Sequence, residues 1–492
     1  LSFRRILIAN RGEIALRIIR TLREMGIESV AIYSDVDARS PHVLAADIAV
    51  NLKGETPSET YLNMERILEV ARRYHVDAVH PGYGFLAENP QFSRMVSEAG
   101  MVFIGPSAQE IERLGDKATA KEIARRAGVP IAPSSPPLRD TREIIQWVER
   151  IGPPVLLKAS AGGGGKGMKK VENPDNLADT VEMAKREALS AFGDDTLIVE
   201  KFIFPVRHIE VQIMADTHGN ILTIGERECS LQRRHQKIIE ESPSPVLEDD
   251  ERRKLMDYAR RIIEEAGYTG AGTVEFMYSE GEFYFLEVNT RIQVEHPVTE
   301  MRFGLDLIRM QIEVARGGVL EEDIPAPSGH SIEARLYAED PLAGFLPQTG
   351  KIHALEFPNM PGVRIDYGIM EGNEISPYYD PMIAKIIAHG PDRETARRRL
   401  IQALEETLLI GPANNQHFLI YLLRSREFIE GETFTHTVDE LTARYKDEEF
   451  TIPGELLRIV AEKLRGPFRA SSGEKSRSGD NPTRRIRPGI YP

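Results

Sequence analysis

The segment RRILIANRGEIALRIIRTLREMGIESVAIYSD, Arg4 to Asp35, restricts the fold more than any other. A β-rich run, an amphipathic helical run and a second β-rich run read as a strand, a helix and a strand of a parallel sheet. VDAVHPGYGFLAENPQFSRMVSEAGMVFIGP, Val76 to Pro106, repeats the pattern. Residues 1–118 are therefore expected to form an α/β domain. Gly12 stands alone where a dinucleotide-binding fold carries three glycines, so NAD is not the expected ligand.

A second unit is expected over 119–202. It holds a helix, the strand PPVLLKAS, a glycine-rich loop, the helix ADTVEMAKREALSAF and the strand DTLIVEKFI. Residues 203–446 read as strand-rich and then helical, with a mixed sheet. The stretch 447–492 ends in GPFRASSGEKSRSGDNPTRRIRPGIYP, whose composition predicts disorder. With 492 residues the chain has room for about three domains.

A net charge of −14 argues against nucleic-acid or anionic-membrane partners, so any phosphate site must be local. The single cysteine, Cys229, excludes an internal disulfide framework and a thiolate metal cluster. The chain shows no secretory leader and no apolar run near the roughly 20 residues of a membrane span. A cytoplasmic protein is expected.

In FLEVNTRIQVEH, Glu287, Asn289, Arg291, Gln293 and Glu295 fall on every second residue, as one face of a strand would. A half-exposed sheet surface also alternates. The preceding GTVEFMYSEGEFYFLEVN reads as a hairpin turning over Glu280, Gly281 and Glu282, which sets Glu275 opposite Glu287. Facing carboxylates are destabilising without a cation, and with Asn289 beside them they suit magnesium or manganese.

LLKASAGGGGKGMKKV supplies Gly162, Gly163, Gly164, Gly165 and Gly167, whose amides can approach phosphate oxygens closely, with Lys158 as a point charge. A flexible linker is the other reading, and neither P-loop nor kinase spacing fits. LIVEKFI places Glu200 and Lys201 at a strand end, for an adenine or as a surface pair. CSLQRRHQK concentrates base, either as a solvated turn or opposite an anion.

IANRGEIALRI, HPGYGFLAEN, GDK, KASAGGGGKGM, EKFI, RHIEVQ, ERECSLQRRHQK, EVNTRIQVEHPVTE, IEARLYAEDP and YYDPMIAKI occur in the order of one family's motifs. From about Phe3 to Lys446 the chain resembles a biotin carboxylase of the ATP-grasp superfamily. The resemblance implies an α/β fold in three parts: an N-terminal parallel α/β domain, a mobile glycine-loop lid and a C-terminal mixed-sheet domain. It places Lys117, Lys158, Met168, Glu200, Lys201, Ile203, His208, Gln232 and His235 around ATP. Glu275, Glu287 and Asn289 would hold two magnesium or manganese ions. Lys237, Arg291, Gln293, Val294, Glu295 and Arg335 would form the bicarbonate and catalytic group, with Tyr83 on the biotin side. Arg17 and Arg20, three apart on one helix face, would lie at a homodimer interface.

The implied activity is carboxylation of biotin by ATP and bicarbonate through carboxyphosphate, with Glu295 as general base. With no biotinylation motif and no room for a carboxyltransferase domain, a stand-alone biotin carboxylase component is expected. Its partners would be a biotin carboxyl carrier protein and a carboxyltransferase on another chain. The final acceptor stays open among acetyl-CoA, propionyl-CoA, pyruvate and 2-oxoglutarate. The competing readings are another ATP-grasp carboxylate-amine ligase and a non-catalytic nucleotide-binding protein.

Overall fold

Five short strands form the parallel sheet that the opening segment predicts: β1 (Arg5–Ile8), β2 (Glu28–Tyr33), β3 (Ile48–Asn51), β4 (Ala78–His80) and β5 (Val102–Phe103). They belong to a computed structural model that describes residues 1–160, 168–173, 176–234, 236–321 and 323–445. Their spatial order is β3-β2-β1-β4-β5, so the chain reverses direction across the sheet between β1 and β4. Loops leaving those two strands diverge and open a crevice at their C-terminal ends. Asn10 ties the crevice walls together, its amide donating to Pro81 O and Tyr83 O at 2.7 Å each. The helix Gly12–Glu24 buries Ile14, Ile18, Ile19 and Leu22 against Leu307, Ile308 and Ile312.

A three-stranded antiparallel sheet follows, β6 (Val155–Ala159), β7 (Met168–Val171) and β8 (Leu197–Lys201), in the order β7-β6-β8. The helices Thr141–Ile151 and Leu177–Phe192 cover one face, packing Ile144, Val148, Val181 and Ala188 on Val155, Leu157 and Val199. The predicted loop glycines Gly162, Gly163, Gly164, Gly165 and Gly167, His235, and the tail 447–492 lie outside the described residues.

The third sheet has eight strands. Strands β9 (Arg207–Ala215), β10 (Ile221–Arg233), β11 (Gln236–Ser242), β12 (Gly270–Ser279), β13 (Glu282–Asn289) and β14 (His330–Tyr337) run in the order β13-β12-β9-β10-β11-β14, extended by Met382–Gly390 and Val363–Tyr367. Where a mixed sheet was expected, every pairing in this one is antiparallel. Tight turns join β9 to β10 and β12 to β13, and the helix Asp249–Ala266 returns the chain so that β12 meets β9 head to tail.

Glu275 faces Glu287 as expected, but by a different route. The turn holds two residues, Glu280 and Gly281, both at positive φ (51° and 82°), so Ser279 pairs with Glu282 and Phe276 with Phe285. That register alone would set Glu275 against Leu286. A β-bulge at Leu286 inserts one residue into β13 and restores the Glu275–Glu287 pairing. The strand also ends at Asn289, short of the predicted Glu295; Thr290 to Glu295 form a loop leading into the helix His296–Phe303. Inserting one alanine between Leu286 and Glu287 is therefore expected to leave the far-ultraviolet circular dichroism near wild type but weaken the magnesium-dependent ATP cleavage that the resemblance implies by about tenfold or more, because Glu287 then sits one position past Glu275 and on the opposite face. A wild-type magnesium titration would show that the bulge does not set the site.

Candidate active site

A cavity of about 660 Å³ lies between the crevice of the parallel sheet and the face of the eight-stranded one. Arg11, Tyr83 and Phe85 line its first wall; Lys237, Glu275, Asn289, Gln293, Glu295 and Arg335 line the second. Its centre is the Lys237 ammonium. Nζ lies 2.5 Å from Glu210, 2.9 Å from Glu275 and 2.7 Å from Glu295, and donates to Gln293 Oε1 at 3.2 Å. Burial alone would depress this amine, but the three carboxylates outweigh it and hold its pKa well above the ordinary lysine value.

A second bulge aims that lysine. Gln232 pairs with Lys237 while Leu231 pairs with Ile239, so Ile238 is an extra residue in β11. Lys237 and Glu240 are three apart and would otherwise point to opposite faces. The two converge on Glu295 through Lys237 Nζ and through Arg335.

Glu295 sits just before the helix His296–Phe303, on a loop pinned from behind. Lys385 Nζ donates to Val294 O at 2.8 Å, and His296 Nδ1 bonds to Gln293 O at 2.7 Å. One Glu295 oxygen meets Lys237 at 2.7 Å and the other accepts from Arg335 Nη2 at 2.8 Å. Burial raises its pKa, but Lys237 and Arg335 prevail and keep the carboxyl ionised below its usual range.

The facing pair is unequal. Glu275 is buried and accepts from Asn289 Nδ2 and Gln293 Nε2, both at 2.9 Å, and its Oε2 lies 3.1 Å from His208 Nε2. Burial opposes its ionisation, yet Lys237 and the His208 imidazolium hold its pKa well below the usual carboxylate value; His208 itself is pushed up to about 9, burial notwithstanding, by Glu275. Glu287 is half-exposed, and burial together with the Glu275 charge raises its pKa. Its nearest cation is Lys117 Nζ at 3.7 Å. This residual repulsion between hard oxygen donors fits a divalent cation.

Towards the three-stranded sheet, Glu200 is buried and holds two lysines, Lys158 and, at 2.9 Å, Lys121. Lys201 Nζ donates to Gly152 O at 2.8 Å. Met168 is exposed and Ile203 half-buried. Of the predicted ATP group, His208 and Gln232 line the 660 Å³ cavity; Lys117, Lys158, Met168, Glu200, Lys201 and Ile203 do not.

The family models that match are Biotin carboxylase, N-terminal domain, over residues 2–111, Carbamoyl-phosphate synthase L chain, ATP binding domain, over 116–323, and Biotin carboxylase C-terminal domain, over 333–440. The chain is 45% identical over 445 residues to the biotin carboxylase of Nostoc sp., covering 90% of this chain and all of that one. The chain belongs to the biotin carboxylase family. It is also 47% identical over 470 residues to a pyruvate carboxylase component of Methanothermobacter thermautotrophicus, covering 95% of each. Among solved structures it superposes with a TM-score of 0.84 on the biotin carboxylase domain dimer of Hydrogenobacter thermophilus 2-oxoglutarate carboxylase, determined with MgADP, ADP and bicarbonate. That match is 44% identical and covers 92% of this chain and 100% of that one. As a biotin carboxylase family member the chain has the ATP-grasp fold, and no helix among the described residues is long and apolar enough to cross a membrane.

The fold brings Lys237, Gln293, Glu295 and Arg335 of the predicted catalytic group into one cluster. Arg291 stands apart from it. Its Nε donates to Glu88 at 2.9 Å and its Nη2 to Asn289 Oδ1 at 3.2 Å. Val294 contributes its carbonyl to Lys385. The Tyr83 hydroxyl donates to Glu13, whose carboxylate also meets Lys385 at 3.1 Å. The two predicted interface arginines do not share an exposed face. Arg17 is buried, paired at 2.8 Å with Glu300 and 2.7 Å with Asp306, while Arg20 is half in solvent beside Asp366 and the Tyr367 ring. Period-based reading detects spacing along a helix, not which acids arrive from distant segments.

Glu210, Arg227, Glu88 and Lys121 are site residues that sequence reasoning missed. Arg227 is fully buried and bonds Glu210 and, at 2.7 Å, Gln212. A charged residue within each of two β-rich runs was the available signal. Replacing Lys237 by Met should cost about 3 kcal/mol or more at pH 7 in chemical denaturation, since it strands three buried acids. Glu210, Glu275 and Glu295 all have depressed folded pKa values. Their stabilising contribution is present above the ordinary carboxylate pKa of about 4.3 and lost as pH falls through the depressed values. The wild-type advantage over Lys237→Met should accordingly shrink in acid; an equal difference at pH 7 and pH 4 would contradict the network.

Proposed function

We propose that this chain carboxylates biotin on a separate carrier protein, using ATP and bicarbonate. The supporting observation is the Glu295 carboxylate, one oxygen on Lys237 and the other on Arg335, at the base of a cavity that the parallel sheet also walls. Bicarbonate entering between these cations shares the charges that keep Glu295 acidic, so Glu295 gains proton affinity as substrate binds. Glu295 takes the bicarbonate proton, and the freed oxygen attacks the ATP γ-phosphorus, releasing ADP and forming carboxyphosphate. Lys237 and Arg291 neutralise the charge gathering on the phosphoryl oxygens. Two magnesium or manganese ions at Glu275, Glu287 and Asn289 would supply further neutralisation there.

Carboxyphosphate then divides into carbon dioxide and phosphate, and the phosphate takes the ureido proton of biotin. Arg335 stabilises the resulting enolate oxygen, and the ureido nitrogen attacks carbon dioxide. Tyr83 borders the biotin side. The nucleotide would lie towards Lys158, Glu200, Lys201, Ile203 and Met168. A carboxyltransferase on another chain completes the reaction cycle, and the dimeric 2-oxoglutarate carboxylase domain supports a homodimer here.

Purified protein should cleave ATP slowly with bicarbonate and faster once free biotin is added. Glu295→Gln should abolish the bicarbonate-dependent part, a loss of about a hundredfold or more, while nucleotide binding by calorimetry stays near wild type. Turnover indifferent to biotin would instead indicate a different ATP-grasp ligase. For the assembly, light scattering at micromolar concentration is expected to give twice the chain mass of 55.3 kDa. A single-chain mass there would exclude the stable homodimer.

A further inference from the structure

Behind Arg335 lies a pair of acids that the reaction as described does not use. Glu240 on β11 and Glu333 on β14 are register partners, so their side chains leave the sheet on the same face about 4.5–5.5 Å apart at Cβ. Both are completely buried, and none of their four carboxylate oxygens receives a hydrogen bond among the described residues. Arg335 Nη2 lies 2.5 Å from Glu240 Oε1, an ion contact without hydrogen-bond geometry, and 2.8 Å from Glu295 Oε2.

The charges around the pair are few. Glu240 faces Arg335 and Glu295, with Lys237 beyond them; Glu333 faces Lys385 on the strand Met382–Gly390, then Glu240, Arg335 and Glu295. The helix His296–Phe303 packs on both strands, but its acid Glu300 is taken by Arg17 and Arg364, and His296 is turned to Gln293 O and Glu300. On the opposite face of β14 the helices Arg393–Glu406 and Gln416–Arg424 bring apolar Ala396, Leu400 and Leu419 against Ile332 and Ala334. Lys385 is itself divided between Val294 O, Glu13 and Asp366.

Two buried carboxylates so placed, with one guanidinium shared with Glu295 and one divided ammonium, cannot both be charged at little cost. We propose that Glu240 and Glu333 hold one proton between them at neutral pH and are the positioning residues that fix the Arg335 guanidinium against Glu295. This rests on the carboxylase reading above, in which Arg335 faces biotin. With one proton on the pair, a single negative charge backs Arg335 and leaves it free to meet the biotin oxygen. When that proton is lost, two charges pull the guanidinium away from the cavity. In agreement, burial raises both groups, Glu240 to about 7 and Glu333 well above the ordinary carboxylate value.

The test has two independent readouts on the full chain. Infrared spectroscopy of wild-type protein should show the carbonyl stretch of a buried protonated carboxyl near neutral pH, fading only in the alkaline range where the strongly raised Glu333 carboxyl ionises and absent from Glu333→Gln. Steady-state ATP cleavage with free biotin should show the KM for biotin rising over the same pH range in wild type, with Glu333→Gln removing or displacing that rise and Glu333→Asp restoring it. Glu240→Gln should raise the KM for biotin about tenfold at every pH. The proposal is overturned if wild type shows no protonated carboxyl, or if Glu333→Gln keeps the wild-type pH profile. The carboxyl band without any biotin-stimulated turnover would support the shared proton and overturn the carboxylase reading. Should Glu333→Gln not fold, the infrared titration of wild type still decides the proton.

Discussion

Everything in this site is arranged around one need, that of three buried glutamates for a shared cation. Glu210, Glu275 and Glu295 come from β9, β12 and the loop after β13, and all three end on Lys237 of β11. Three such charges cannot be left in a protein interior without partners. The Lys237 ammonium answers all of them at once. Around it Arg227 takes the other side of Glu210, His208 the other side of Glu275, and Arg335 the other side of Glu295. The network therefore constrains the sheet as much as the sheet positions the network, since a slip of one residue in any contributing strand leaves a buried charge unmatched.

Two β-bulges make this convergence possible. Regular strands alternate faces with strict period two, which would separate Lys237 from Glu240 and Glu275 from Glu287. Extra residues at Ile238 and Leu286 break that period where charged groups share a face. The ladder locally loses its regular bonding, and in return the sheet presents acids and bases of opposite parity to one cavity.

The other wall comes from a different rule. The parallel sheet reverses its winding between β1 and β4, and the loops carrying Arg11 and Tyr83 open there onto the eight-stranded sheet. The Glu13 carboxylate joins Tyr83 of one wall to Lys385 of the other, and Lys385 in turn holds the loop that bears Glu295. Further out, the single Glu200 carboxylate is shared by the Lys158 and Lys121 ammonium groups.

Much of this was legible in the order of residues along the chain. Strand-helix-strand runs determined the parallel sheet, because hydrophobic periodicity and turn residues act locally. The spacing of Glu287 and Asn289 and the hairpin before them determined that two carboxylates would face each other, although the turn is one residue shorter than predicted and a bulge compensates. The motif series determined the family. What the sequence did not determine was which charges meet: that Arg291 turns to Glu88, that Arg17 is buried against Glu300 and Asp306, that Glu200 holds Lys121, or that Glu240 and Glu333 stand face to face behind Arg335. Those pairings join residues as much as 289 positions apart. They depend on strand register, bulges and the docking of one sheet on another, and buried charges find their partners only after that packing is complete.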